Sequence, residues 1–130
     1  MTELATSYFA AGNVIVRSNL VPVGITIGKP KWDAQYRNGE RPVYLRELAP
    51  WGLLQVDDDE EFTSKYLERL DRIGADVLAE RFAAVSDAHD RRGLALLCFE
   101  RAGDPCHRRT FATWWVRQTG QPVPELENHA

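Results

Sequence analysis

Residues 92–109 read RGLALLCFERAGDPCHRR, and the reading of this stretch decides the fold class. Leu94 to Phe99 is an unbroken run of six apolar residues entered through Gly93. Such a run suits a strand covered on both faces, as in a parallel sheet, because a strand with one wet face would alternate. A polar loop follows, and then a helix predicted from about Pro105 to Thr119 and stopped by Gly120. The order helix, glycine turn, buried strand, polar loop, helix is that of a βαβ unit. It predicts an α/β fold: a small Rossmann-like three-layer domain with a mainly parallel sheet.

Working outward, the run LVPVGITIG at residues 20–28 predicts a second buried strand inside the sheet. After it, KPKWDAQYRNGERP carries two prolines, an Asn-Gly pair and dense charge, which predicts a long loop that Trp32 and Tyr36 can anchor. The acidic run DDDEE at residues 57–61 opens a helix, with Asp58 or Asp59 as cap and Glu60 and Glu61 in the first turn. Phe62, Tyr66, Leu70 and Ile73 form its buried stripe. Gly74 bends or ends it, and Val77, Leu78, Phe82 and Val85 carry a second stripe through residues 76–89. QPVPEL, residues 121–126, predicts a short edge strand because of its prolines. Residues 1–20 stay unassigned, since YFAAGNVIVRS suits a short helix or a strand.

A chain of 130 residues, 44% hydrophobic and 27% charged, fits one domain spanning residues 1–130. No stretch approaches the roughly 18 uncharged apolar residues of a membrane span, and MTELATSYFA lacks the pattern of a secretion signal, so a cytoplasmic protein with no membrane partner is expected. Two cysteines are too few for a disulfide scaffold and are expected to be thiols. The net charge of -3 argues against a protein that coats nucleic acid through bulk electrostatics. That total hides an uneven distribution: residues 29–46 and 101–117 are both basic, and together they would suit a phosphate or carboxylate.

In α/β sheets ligands bind where strands end and helices begin, which places the working site at the turn after Phe99. Asp104 is predicted to cap the last helix with Pro105 at its first position, putting Cys106 and His107 in the first turn. There the helix N-terminus and the neighbouring Arg108 and Arg109 lower a thiol's pKa, so Cys106 is the candidate nucleophile. Cys98 lies in the apolar strand, where it acts as a small hydrophobe or reaches the site. His107 either turns its ring to a backbone carbonyl or acts as acid or base, and Glu100 either balances the arginines or carries protons. At helical spacing Cys106, Thr110, Thr113 and Arg117 share one face, while His107, Phe111, Trp114 and Trp115 share another. The candidate catalytic set is Cys106, His107 and Glu100. The candidate ligand-binding set is Arg108, Arg109 and Cys98, joined from the basic loop by Lys29, Lys31, Trp32 and Arg41. Zinc on Cys98, Cys106 and His107 is a competing explanation, with Asp104, His89 or His129 as fourth donor, but the spacing is not that of the common zinc motifs, so no metal or other cofactor is expected. No phosphate loop of the Walker or dinucleotide type is present.

LLCFERAGDPCHRR resembles the Cys-x-Glu and Cys-His-Arg pattern of the bacterial and phage domain-of-unknown-function family numbered four-eight-eight, with Cys98, Glu100, Cys106, His107 and Arg108 at the matching positions. Leu48-Ala49-Pro50, the Phe62, Tyr66 and Leu70 spacing, and GITIGKPKW are similar to elements of one branch. The resemblance implies a small Rossmann-like fold and a shared polar site at the Cys-His-Arg turn, and no particular reaction. The residues themselves support two functions. One is a cysteine-dependent enzyme acting on a nucleotide-like or other phosphorylated small molecule. The other is a non-catalytic module of the phage-type effector kind that binds phosphate, nucleic acid or a protein carboxylate.

Overall fold

The computed structural model describes residues 1–99 and 106–126. In chain order these hold β1 (Leu4–Tyr8), α1 (Gly12–Ser18), β2 (Val21–Gly24), β3 (Val43–Tyr44), α2 (Asp59–Ile73), α3 (Ala75–Asp87), β4 (Leu94–Cys98) and α4 (His107–Thr119). The four strands pair in the order β1-β4-β2-β3, every neighbour parallel. The fold is therefore α/β with an all-parallel sheet.

The period of two along the strands explains the layering. In β4, Leu94, Leu96 and Cys98 face one core while Ala95 and Leu97 face the other. Val21, Val23 and Ile25 join the first core, where Tyr66 and Leu70 of α2, Leu78 and Phe82 of α3, and Phe111, Trp114 and Trp115 of α4 cover the sheet. On the second face Ala95 and Leu97 meet Val14 and Ile15 of α1 and Ala34 and Tyr36 of the long loop. The uninterrupted apolar run is thus two alternating faces, each with its own cover.

Helix boundaries follow local chemistry. Asp58 caps α2, its carboxylate accepting the Glu60 N–H at 3.2 Å. Gly74, at φ +90°, separates α2 from α3, a conformation that L side chains rarely adopt. Val77, placed in the α3 stripe by its spacing, is half exposed instead, and buried Ser86 donates to the Arg92 carbonyl. Gly120 ends α4 at φ +78°.

Two expectations need correction. The cap of α4 is Cys106 rather than Asp104, so the helix proper begins at His107. QPVPEL makes a single parallel bridge, Glu125 with Thr6, rather than a strand. It does lie on the sheet edge: Thr6 N–H donates to the Pro124 carbonyl and Leu126 N–H to the Thr6 carbonyl. The ambiguous N-terminal stretch contains the end of one strand and the whole of one helix, and β3 was not anticipated at all.

Gly93 is required by a close approach. A Cβ there would stand 2.8 Å from Glu3 Cβ and 3.0 Å from the Glu3 carbonyl oxygen, where β1 enters the sheet beside β4. Gly93→Ala is expected to cost about 1–3 kcal/mol, as overpacking of a filled site does, read as a lower urea midpoint with unchanged slope.

Candidate functional site

The site lies past the C-terminal ends of the two central strands. β4 delivers Cys98, fully buried on the α2–α4 side of the sheet. Beyond β2, Ile25 offers its carbonyl. α4 begins against both, and its partly exposed cap residue Cys106 opens onto a cavity of about 900 Å³.

His107 organises the cluster. Its Nε2 lies 2.6 Å from the Ile25 carbonyl oxygen. A carbonyl only accepts, so Nε2 carries the proton and donates it, and in the neutral ring Nδ1 is left as the acceptor. Nδ1 is 3.9 Å from Cys106 Sγ and 3.7 Å from Cys98 Sγ. Cys98 Sγ is also 3.6 Å from Nε2, but that nitrogen is committed to the much shorter contact with Ile25. The two readings of His107 left open by the sequence are therefore compatible: one nitrogen anchors the ring to the backbone and the other faces the thiols. Tyr66 packs edge-on against the imidazole at 5.4 Å between ring centroids and donates its hydroxyl to the Leu48 carbonyl at 2.7 Å. Burial, as the largest cause, together with the negative charge of Cys106, pushes the Tyr66 hydroxyl well above the usual phenol range.

These neighbours set the ionisation of Cys106. A hydrogen bond from Cys98 is the largest influence, ahead of the opposing effect of burial; a hydrogen bond and charge from His107, and the Arg108 backbone N–H, 3.5 Å from Sγ, act in the same downward direction. Together they pull the Cys106 thiol down to about 4. A lowered thiol was expected from the helix N-terminus and the arginine side chains, and the Arg108 backbone N–H is the helix's share of it. The nearer cause is the second thiol and the imidazole.

The adjacent arginines have different surroundings. Arg108 is 1% exposed and grips Glu125 on both carboxylate oxygens, at 3.0 and 2.9 Å. Arg109 lines the cavity and also donates to the Thr6 hydroxyl at 2.7 Å and the Val123 carbonyl at 2.9 Å. Thr110, Thr113 and Arg117 line the same cavity with Cys106, as their shared helical face predicts. Phe62, Leu67 and Phe99 supply apolar wall, and Asp59 an acidic one.

The basic loop does not join this wall. Lys29, Lys31, Trp32 and Arg41 are absent from the cavity lining: Lys29 lies over the Tyr44 ring at 5.3 Å, and Arg41 pairs with Asp33 through two 2.9 Å hydrogen bonds. Trp32 is 50% exposed, and Lys31 is exposed as well. The loop is anchored by Tyr36, whose hydroxyl donates to the Phe9 carbonyl at 2.8 Å. Glu100, Asp104 and His129 lie outside the described residues.

Cys98, Cys106 and His107 bring three donor atoms within 4.8 Å of one another, a set that would suit a soft cation. No fourth protein donor joins them among the described residues, and His89, just past α3, turns its ring back to the Val85 carbonyl. Sequence reasoning missed Glu125, Thr6 and the Ile25 carbonyl. Tyr66 was legible as a core residue of α2, though not as the wall of a histidine. No helix among the described residues is long and apolar enough to cross a membrane. Comparison with family models, curated proteins and solved structures returns no match to this chain.

Proposed function

We propose that the protein is a cysteine-dependent enzyme in which Cys106 attacks an electrophilic centre of a nucleotide-like or other phosphorylated small molecule. The observation that carries this reading is the position of Cys106 Sγ: at the N-cap of α4, beside an imidazole whose other nitrogen is anchored, and open to a cavity lined by Arg109 and Arg117. In this reading Cys106 passes its proton to His107 Nδ1 and enters as the thiolate, and the imidazolium so formed returns that proton to the leaving group. Arg109 and Arg117 hold the anionic part of the substrate. The threonines and the apolar wall suit the uncharged remainder. Arg108, closed on Glu125, supports the turn. The Cys-x-Glu and Cys-His-Arg pattern supports placing the chain with family four-eight-eight, and an oxygen-rich intracellular metabolite would fit the expected cytoplasmic setting.

The test is alkylation of the native protein with iodoacetamide across pH, with Cys98 and Cys106 resolved by peptide mass. Cys106 is expected to react at pH 6, where a free thiol of pKa about 8.5 is almost wholly protonated. Inorganic phosphate or a nucleoside monophosphate should slow that reaction in wild type and fail to do so in Arg109→Ala. A Cys106 no faster than a free thiol at neutral pH would remove the nucleophile. If phosphate compounds still bound that unreactive protein, the non-catalytic binding module would replace the enzyme.

A further inference from the structure

The second thiol does not itself attack a phosphorylated substrate, yet it is placed against the first. Cys98 is 0% exposed and lies on the rigid end of β4, which is paired on both sides by β1 and β2. Cys106 is partly exposed, and the two Sγ atoms are no more than 4.8 Å apart. A disulfide needs about 2 Å between sulfurs, so a modest turn of the Cys106 side chain toward the strand end brings them to bonding range. His107 Nδ1 lies within 4 Å of both sulfurs, where it can take a proton from one and return it to a leaving oxygen.

We propose that Cys106 and Cys98 form a peroxide-responsive pair, in which Cys106 is the oxidised residue and Cys98 the one that resolves it to an intramolecular disulfide. The proposal rests on the accessible Cys106 thiolate of the enzyme reading and adds a modification of the same site. In the first step the Cys106 thiolate attacks one oxygen of a hydroperoxide; the S–O bond forms, the O–O bond breaks, and the departing alkoxide or hydroxide takes the proton from His107 Nδ1, which is left neutral. Cys106 becomes a sulfenic acid and the peroxide is reduced to an alcohol or water. In the second step the Cys98 thiol passes its proton to His107 Nδ1 and its sulfur attacks Cys106 Sγ. The S–S bond forms, the S–O bond breaks, and the hydroxide receives the proton from His107 as water. Both sulfurs are then oxidised and the nucleophile is blocked. An external dithiol reverses the state, and the disulfide keeps Cys106 from further oxidation to sulfinic acid.

The burial of Cys98 makes the test specific, since a bulk reagent reaches it only through Cys106. Full-length wild-type protein treated with equimolar hydrogen peroxide should lose both thiols together, lose two hydrogens in intact mass, and yield one peptide pair linking Cys98 to Cys106. Dithiothreitol should restore both thiols. In Cys98→Ser the sulfenic acid should persist at Cys106 and be trapped by dimedone, while in Cys106→Ser the Cys98 thiol should survive the same treatment. Wild-type Cys106 oxidised to sulfinic acid beside an intact Cys98 thiol would overturn the pairing, as would a disulfide between two chains. Rapid alkylation of Cys106 without any peroxide reaction would overturn this inference alone. Resistance of Cys106 to both reagents would overturn the enzyme reading with it.

Discussion

Glu125→Ala will lower the unfolding free energy by about 3 kcal/mol, the low end of what removing one partner of a buried ion pair costs. The Arg108 side chain is 1% exposed and the Glu125 side chain 19%, so water screens the pair weakly. Alanine removes the carboxylate that accepts from Arg108 Nε and Nη2, and also the acceptor of the Thr6 hydroxyl at 2.6 Å. It leaves a buried guanidinium less well satisfied than before, which costs more than the pair itself contributes. The loss should spread to the sheet edge, because Glu125 makes the bridge to β1. Glu125→Gln, which keeps one carbonyl acceptor, should fall between the two. Burial pushes the Glu125 carboxyl up, but the hydrogen bonds from Arg108 and Thr6 and the charges of Arg108 and Arg109 outweigh it and hold the carboxyl below its usual value. A carboxyl lowered in the folded state stabilises above its unfolded pKa and loses that contribution as pH falls through the folded one. The gap in urea midpoint between wild type and Glu125→Gln should therefore be full at pH 7 and shrink below about pH 4.

The parts of the fold that could be read from sequence are those in which local pattern and tertiary environment agree. Residues 94–98 are apolar at every position and buried at every position, and Asp58, Gly74 and Gly120 punctuate their helices by chemistry confined to a few neighbours. β1 was opaque for the opposite reason. Its Thr6 and Ser7 are fully buried polar residues, and Thr6 is satisfied from far along the chain, by Glu125 and Arg109. β3 is two residues long, below the length at which a period shows. The cysteine turn was legible because reactive residue types cluster there in sequence. Its internal assignments were not, since they depend on which carbonyl receives His107 and which carboxylate receives Arg108, and Ile25 and Glu125 lie 82 and 17 residues away. Adjacent arginines are indistinguishable in a sequence, yet Arg108 closes on a carboxylate and Arg109 faces the cavity.

The same distinction yields the largest expected change in reactivity. If the arginine side chains activated Cys106, replacing Cys98 would leave its ionisation unaltered; because the Cys98 hydrogen bond is the foremost influence, Cys98→Ala should instead raise the midpoint of Cys106 alkylation steeply. The wild-type rate should be nearly flat above about pH 5, since a thiol at about 4 is already ionised there. In Cys98→Ala the rate should climb by about tenfold per pH unit through the acid and neutral range before reaching its plateau. At pH 6 the variant should retain no more than about a tenth of its own plateau rate. His107→Asn should shift the midpoint in the same direction, because the ring supplies both a hydrogen bond and charge to Cys106. Expressing each rate relative to its own plateau removes the change in intrinsic nucleophilicity that accompanies a change in thiol pKa. A Cys98→Ala protein that keeps the wild-type profile, with its circular dichroism and urea midpoint showing a folded chain, would return the activation of Cys106 to the helix N-terminus and the arginines. A raised midpoint would make Cys98 a positioning residue of the site, held on the strand to keep its neighbour ionised.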